Sequence, residues 1–218
     1  TKVIVGSQEV VPGYGYPYAL ILDSITKNPD MSNEDIGKVI VKSFETFYNY
    51  FKIEATNSAI RSNKIDGFLT KLSEFRKAAM NSNEIEALKQ ARKNVMRFNI
   101  LGENGPMVYS FFADVYELAE IVEENIKGEE GRVLREKAEE LSNYIKNELV
   151  IITGACGNDP TGKPYSKAGG VSIYFPPVTD QLTYEKIDSL LITPYSNFKL
   201  ARETGWDEFV KFVFEKTR

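Results

Sequence analysis

The chain has 218 residues, of which 42% are hydrophobic, and a formal net charge of -4 from 27 Lys and Arg against 31 Asp and Glu. This composition excludes a largely disordered chain and is large enough for one sizeable core or two smaller ones. The two signs of charge are interspersed, which argues against a nucleic-acid partner. The apolar runs are far shorter than the roughly 20 residues of a membrane span, so none is predicted.

The sequence contains no histidine and a single cysteine, Cys156. Without histidine the chain cannot supply a Ser/His/Asp triad, a Cys/His pair or an HExxH zinc site. Cys156 has no basic neighbour in sequence closer than Lys163, so its setting does not predict a nucleophilic thiol. One cysteine forms no intrachain disulfide, and the first residues do not resemble a signal peptide. We therefore expect either a cytoplasmic protein or a chain whose beginning is missing.

The first predicted element is a buried strand over the β-branched run Lys2–Val5, ending at Gly6. A buried strand so close to Thr1 indicates a fragment. Residues 7–16 are rich in Pro and Gly and predict a sharply turning loop, followed by a helix that starts near Pro17. A loop directly after a strand is where α/β proteins often place binding groups.

Helices dominate the middle of the sequence. Ser32 and Asp35 resemble a capping box, and the apolar residues that follow predict a helix to Phe51. Residues 53–62 are small and polar and predict a connection. Apolar residues then recur at helical spacing in further predicted helices, at 65–79, 83–98, 107–126 and within the charged segment 128–152.

The last third of the sequence changes character. After Ile152 a segment rich in Gly, Pro, Asn and Asp predicts a long loop or hairpin. Within it, Asn158, Asp159 and Thr161 offer oxygen ligands for calcium, but the EF-hand pattern is missing. A turn is the preferred interpretation, and we expect no cofactor. A strand at 171–175 and helices at 184–191 and 206–214 complete the prediction, the last with an aromatic face that we expect in the core.

Several segments resemble one known family. SQEVVPGYGYPY is similar to the stretch that follows the catalytic-cysteine strand in the clostripain family of caspase-like cysteine peptidases, clan CD. Later segments resemble the same family in the family's order, namely ATNSAIRSNKI, DVYELAEIV, GGVSIYFP and YSNFKLARETGWDEFVKFVF. The resemblance implies an α/β fold: residues 1–52 as the C-terminal part of a caspase-like α/β/α sheet domain, and residues 53–218 as a helix-rich C-terminal region with the late strand and the closing helix.

The resemblance also implies an endopeptidase that cleaves after basic residues with a histidine and cysteine dyad. Both dyad residues would precede Thr1, so the expected partners are an upstream chain or segment that carries the dyad and a peptide or protein substrate. The chain alone should then be inactive. Relatives of this kind are secreted or periplasmic, which sets the expected location. The residues expected to line the substrate pocket are Ser7, Gln8, Glu9, Gly13, Tyr14, Gly15 and Tyr16.

Two of these residues bear on specificity. Glu9 would pair with a cationic substrate side chain, whereas Tyr14 stands where many relatives carry an acidic residue. An aromatic wall can still stack on a cationic side chain. Alternatives stay open: Glu9 as an ordinary surface carboxylate beside a structural turn, and the whole chain as a non-catalytic binding domain on the same scaffold. A metal-dependent hydrolase would need clustered carboxylates, which the sequence does not show.

Overall fold

A computed structural model describes residues 2–98, 111–177, 183–189, 191 and 193–217. Within these residues the strands, in chain order, are β1 (Val3–Gly6), β2 (Ala55–Arg61), β3 (Arg97–Phe98), β4 (Phe112–Asp114), β5 (Val150–Cys156) and β6 (Ser172–Tyr174). The helices are α1 (Tyr18–Lys27), α2 (Asn33–Phe51), α3 (Ile65–Asn81), α4 (Ile85–Asn94), α5 (Val115–Asn125), α6 (Arg132–Tyr144), α7 (Tyr184–Asp188), α8 (Lys199–Thr204) and α9 (Trp206–Lys216).

The first sheet has the order β1-β2-β5, and both pairings are antiparallel. The predicted first strand is present, but its predicted burial is wrong, because β1 is an edge strand and Ile4 is 41% exposed. In the described part of the chain, the other edge of β1 has no partner strand. An edge of this kind leaves backbone donors and acceptors available to a further strand.

The predicted connection at 53–62 is wrong, because it contains β2, the central strand of this sheet. Small side chains let neighbouring elements approach closely there. A Cβ atom added to Gly37 of α2 would lie 3.3 Å from the Cβ atom of Ala59. The polar residues of β2 are buried because they hydrogen-bond to neighbouring segments, and a hydropathy pattern does not show this.

The second sheet has the order β3-β4-β6 and corrects two helix predictions. The helix predicted at 83–98 ends at Asn94, and Arg97–Phe98 is a strand. In the helix predicted at 107–126, residues 107–110 lie outside the described residues, and Phe112–Asp114 is a strand. Asp114 sets the start of α5, since its side chain accepts a hydrogen bond from the Glu117 backbone N–H.

The predicted change from helix to loop at Ile152 is also wrong. Helix α6 ends at Tyr144, a short π-helical turn follows, and β5 continues to Cys156 along β2. Other predictions are confirmed: the Ser32 cap and α2, the late strand at Ser172–Tyr174 and the closing helix. The predicted helix at 184–191 is shorter, ending at Asp188.

The first sheet lies between two layers, which confirms the α/β/α arrangement. Side chains on a strand alternate between faces. On one face, Ala59 lies against Gly37 of α2. On the other, Ser58 Oγ donates to the Gly170 carbonyl oxygen at 2.7 Å. This second side is covered by the helix-rich region, defined here as the second sheet, the segment before β6 that contains Gly169 and Gly170, and α3–α9. It contains the largest core, whose fully buried residues include Leu72, Phe75, Tyr174, Trp206 and Phe209.

This arrangement joins strands from both sides of residue 52 in one sheet. The division into residues 1–52 and 53–218 stays a prediction.

Candidate substrate-binding site

The β1–α1 loop, residues 7–16, is held at its start by a single residue of the central strand β2. Ser7 Oγ donates to the Thr56 carbonyl oxygen at 2.5 Å. The backbone N–H groups of Gln8 and Glu9 both donate to Thr56 Oγ1, at 3.1 and 2.9 Å. Three consecutive residues are therefore held where the chain leaves β1, so this end of the loop is rigidly attached to the sheet.

The Gln8 side chain points into the protein. Its Nε2 donates to Asp114 Oδ2 at 2.8 Å, and both residues are buried. Burial raises the pKa of Asp114 from 3.8 to about 6, while hydrogen bonds from Glu117, Gly169 and Gln8 act in the opposite direction. In the part of the chain that the structure describes, Gln8 Oε1 is buried without a hydrogen-bond partner.

Glu9 is half-buried and is held from two sides. The Tyr165 hydroxyl donates to Glu9 Oε2 at 2.8 Å, and the Val10 N–H donates to Glu9 Oε1 at 2.7 Å. Tyr165 is buried, and burial together with the bond to Glu9 raises its pKa. The hydroxyl therefore stays protonated and remains a hydrogen-bond donor to the carboxylate. Glu9 is not an isolated surface carboxylate.

The far end of the loop is a tight turn held by α2. The Gly15 N–H donates to the Pro12 carbonyl oxygen at 2.9 Å, and Gly15 has a φ of 67°, which favours glycine. The Tyr48 hydroxyl donates to the Gly15 carbonyl oxygen at 2.8 Å. Asn57 Nδ2 donates to the Tyr16 hydroxyl at 2.8 Å, which ties this end to the central strand as well.

Removing the Tyr48 hydroxyl should loosen this turn. For Tyr48→Phe we expect a loss of about 1 kcal/mol in the free energy of unfolding, because the Gly15 carbonyl oxygen loses its donor while the ring packing is kept. Urea unfolding followed by circular dichroism measures the loss, and hydrogen exchange should rise at residues 12–16. Unchanged exchange there would show that the ring, and not the hydroxyl, holds the turn.

Tyr14 faces outward at the far end of the loop. It is 67% exposed, Gly13 beside it is exposed too, and Val10 earlier in the loop is 57% exposed. The Tyr14 ring stacks on Phe51 with centroids 5.7 Å apart and planes 10° apart, and Phe47 meets it edge-on. Tyr50 in turn packs edge-on against Phe51. These rings form an aromatic platform, defined as Tyr14, Phe47, Tyr50 and Phe51.

The residues predicted to line a pocket are thus brought together by the loop but point in different directions. Gln8 faces the interior, Glu9 faces Tyr165, Tyr16 faces Asn57, and Tyr14 faces outward. Sequence reasoning missed the residues that hold them, namely Thr56, Asp114, Tyr165, Tyr48 and Asn57. Of these, the capping role of Asp114 could have been predicted from the sequence, because an Asp three residues before a Glu and ahead of an apolar run is an N-cap pattern.

The segment considered for calcium is a turn built on Asp159. Asp159 Oδ1 accepts hydrogen bonds from the backbone and hydroxyl of Thr161 and from the Lys163 N–H, at 2.7 to 2.9 Å. Its Oδ2 accepts from the Arg97 N–H at 3.1 Å. Across the described residues, no group of three or more His, Cys, Asp or Glu side chains is arranged to hold a metal ion. The segment therefore forms the turn that the sequence favours, and the expectation of no cofactor stays a prediction.

Cys156 lies at the end of β5 and is half-buried. Burial, and then the nearby carboxylates Glu54 and Glu45, raise the pKa of its thiol. A catalytic thiol needs the opposite shift.

The chain matches the clostripain family, peptidase C11, over residues 1–212. No curated protein matched. Two solved structures have a similar fold: an inactive zymogen C11 protease from Parabacteroides distasonis, with 18% identity and a TM-score of 0.57, and a secreted C11 cysteine protease from Bacteroides thetaiotaomicron in complex with an irreversible peptide inhibitor, with 14% identity and a TM-score of 0.50.

These structures are longer than the chain. The matches cover 93% and 94% of the chain but only 51% and 53% of the two structures, so the chain spans about half of their length. At such low identities the similarity shows the fold. No helix among the described residues is both long and apolar enough to cross a membrane. Because the family match extends over nearly all of its length, the chain belongs to the clostripain family.

Proposed function

We propose that this chain forms the substrate-pocket wall and accessory region of a clostripain-like cysteine endopeptidase that cleaves after basic residues. The observation that best supports this proposal is the structure of the β1–α1 loop. Thr56 and Tyr48 hold the two ends of the loop, and Tyr14 between them is exposed to solvent. A rigid loop at the end of a strand, with an exposed aromatic side chain, suits recognition of a substrate side chain. The histidine and cysteine dyad comes from an upstream segment or chain.

The edge of β1 supports a partner of this kind. β1 is at the edge of its sheet, and Ile4 in its middle is 41% exposed. Helix α1, which follows the loop, also exposes large apolar side chains at Tyr18, Leu20 and Leu22. A strand that pairs with β1 would cover this edge, and its end would place reactive groups beside Ser7.

The aromatic platform supports recognition of a cationic side chain. Glu9 is engaged by Tyr165, so Tyr14 is the more accessible of the two residues. A guanidinium group is planar and stacks on aromatic faces, whereas an ammonium group is compact and strongly hydrated. We therefore propose that the substrate residue before the scissile bond is arginine in preference to lysine, with the guanidinium stacked on Tyr14.

Joint expression tests the proposed activity. The upstream coding segment is expressed together with this chain, and cleavage is measured on matched peptides that carry Arg, Lys or Ala before the scissile bond. We expect cleavage of the Arg peptide by the joint preparation and none by this chain alone. Replacing the upstream cysteine with alanine is the control. A well-folded complex that cleaves none of the peptides would refute the proposal.

Tyr14→Ala tests the platform. We expect a rise of about fivefold in KM for the Arg peptide, since a cation–π contact at an exposed site contributes about 1 kcal/mol. The effect on the Lys peptide should be smaller. Tyr50→Ala is the matched control, because Tyr50 is exposed and belongs to the platform but packs on Phe51 only at its edge. Equal effects of the two variants would show that Tyr14 has no special role.

A second candidate is a non-catalytic binding domain that keeps the same scaffold and lacks the catalytic dyad. It is favoured by the engagement of Glu9 with Tyr165, which takes a carboxylate away from a cationic substrate. The residues encoded before Thr1 discriminate. A His followed downstream by an Asp, Ala, Cys motif supports the peptidase, and their absence supports the binding domain.

Export from the cell is proposed for the peptidase, in line with the neighbour described as secreted, and fractionation of cells tests it.

A further inference from the structure

Asp114 is a buried carboxylate that joins three separate segments. Its Oδ2 accepts hydrogen bonds from Gln8 Nε2 and from the Gly169 N–H, both at 2.8 Å. Its Oδ1 accepts from the Glu117 N–H at 2.9 Å, which caps α5. Asp114 therefore connects the first turn of α5, the segment before β6 and the β1–α1 loop. Hydrogen bonds to a charged acceptor in a buried site are stronger than those between neutral groups.

The bond to Gln8 differs from the other two. Gly169 and Glu117 both belong to the helix-rich region, whereas Gln8 lies 106 residues away in sequence, in the loop. Two other contacts fix the backbone at this point, from Gln8 and Glu9 to Thr56. The Thr56 contacts attach the loop to the sheet, and the Asp114 contact attaches it to the helix-rich region.

From this geometry we infer that Asp114 is a positioning residue, which sets the conformation of the substrate loop through Gln8. The inference rests on the proposed function for its catalytic readout. It predicts that displacement of α5 or of the segment around Gly169 is transmitted to Glu9 and Tyr14. Asp114 itself touches no substrate in this scheme, since it is fully buried.

A double-mutant cycle tests whether Asp114 acts on the loop through Gln8. Gln8→Met removes the amide while nearly keeping the side-chain volume, and Asp114→Asn removes the charge while keeping an oxygen that can cap α5. In the full-length protein we expect each single variant to raise KM about tenfold, in line with a hydrogen bond to a charged group, with kcat within about twofold of the parent. The double variant should be no worse than Gln8→Met, because Asp114 acts through Gln8. Additive effects on KM would overturn the inference.

Hydrogen exchange gives a readout that does not depend on activity. We expect faster exchange at residues 8–16 in both single variants. Val133→Ala is the control, since Val133 is exposed near the start of α6 and the variant should leave exchange in the loop unchanged. If the full-length protein cleaves no peptide, the proposed function fails, and the exchange data still decide the positioning role. Unchanged exchange in Gln8→Met would overturn that role even in an active enzyme.

Discussion

Replacing Trp206 with alanine is expected to lower the free energy of unfolding by about 4 kcal/mol. Trp206 is fully buried at the start of α9, and its ring packs on Phe209 with centroids 4.7 Å apart. Its Nε1 donates to the Tyr174 carbonyl oxygen at 2.7 Å. The variant loses apolar burial, leaves a cavity and removes the donor to a carbonyl group of β6. Urea unfolding followed by circular dichroism measures the change.

Two further variants separate these contributions. Trp206→Phe keeps an aromatic ring but removes the donor, so we expect an intermediate loss of about 2 kcal/mol. Phe198→Ala removes a large apolar side chain that is 46% exposed, and it should change stability by less than about 1 kcal/mol. A loss at Phe198 as large as at Trp206 would mean that the closing helices are not packed as described.

The stability of the protein should depend on the protonation of Asp114. Burial raises the pKa of this carboxyl group to about 6 in the folded protein, against 3.8 as the ordinary value. The folded state therefore binds this proton more tightly than the unfolded chain. Its contribution to the free energy of unfolding is fully present below about pH 4 and is lost as the pH rises through about 6. Two pKa units correspond to about 3 kcal/mol.

The comparison with Asp114→Asn isolates this contribution, since the amide does not titrate. We expect the free energy of unfolding of the parent, minus that of the variant, to fall by about 3 kcal/mol between about pH 4 and pH 7. Exposed ion pairs such as that of Glu140 with Lys71 act in the opposite direction but are weak and common to both proteins. A difference that does not vary with pH would contradict the raised pKa.

The sequence predicts the parts of the fold whose patterns are local. Helix α2 has a cap at Ser32 and a long apolar stripe, and α9 carries aromatic residues at helical spacing; both are where the pattern places them. β2 is missed because its buried residues are small and polar, and their burial depends on partners elsewhere in the chain. The sequence prediction places the start of this helix before Val115, because β4 runs directly into α5 and a strand this short shows no clear alternation of apolar and polar residues.

The candidate site shows the same limit. The order strand, loop, helix places residues 7–16 at the end of β1, and this much follows from the positions of Pro and Gly. The direction of each side chain does not follow from the sequence. Gln8 turns inward because Asp114 offers a buried acceptor, and Glu9 turns towards Tyr165, which is 156 residues away. Such long-range pairings depend on tertiary structure and leave no local pattern.

One edge of β1 has no partner among the described strands, so the choice of a strand that could pair there matters. Backbone hydrogen bonds are the same for every sequence, so an uncovered strand accepts an incorrect neighbour, including another molecule of its own kind, as readily as the correct one. Discrimination must then come from side chains of the strand itself, such as Ile4, which is 41% exposed. An apolar side chain at this position would admit a strand with complementary apolar side chains and disfavour a charged one.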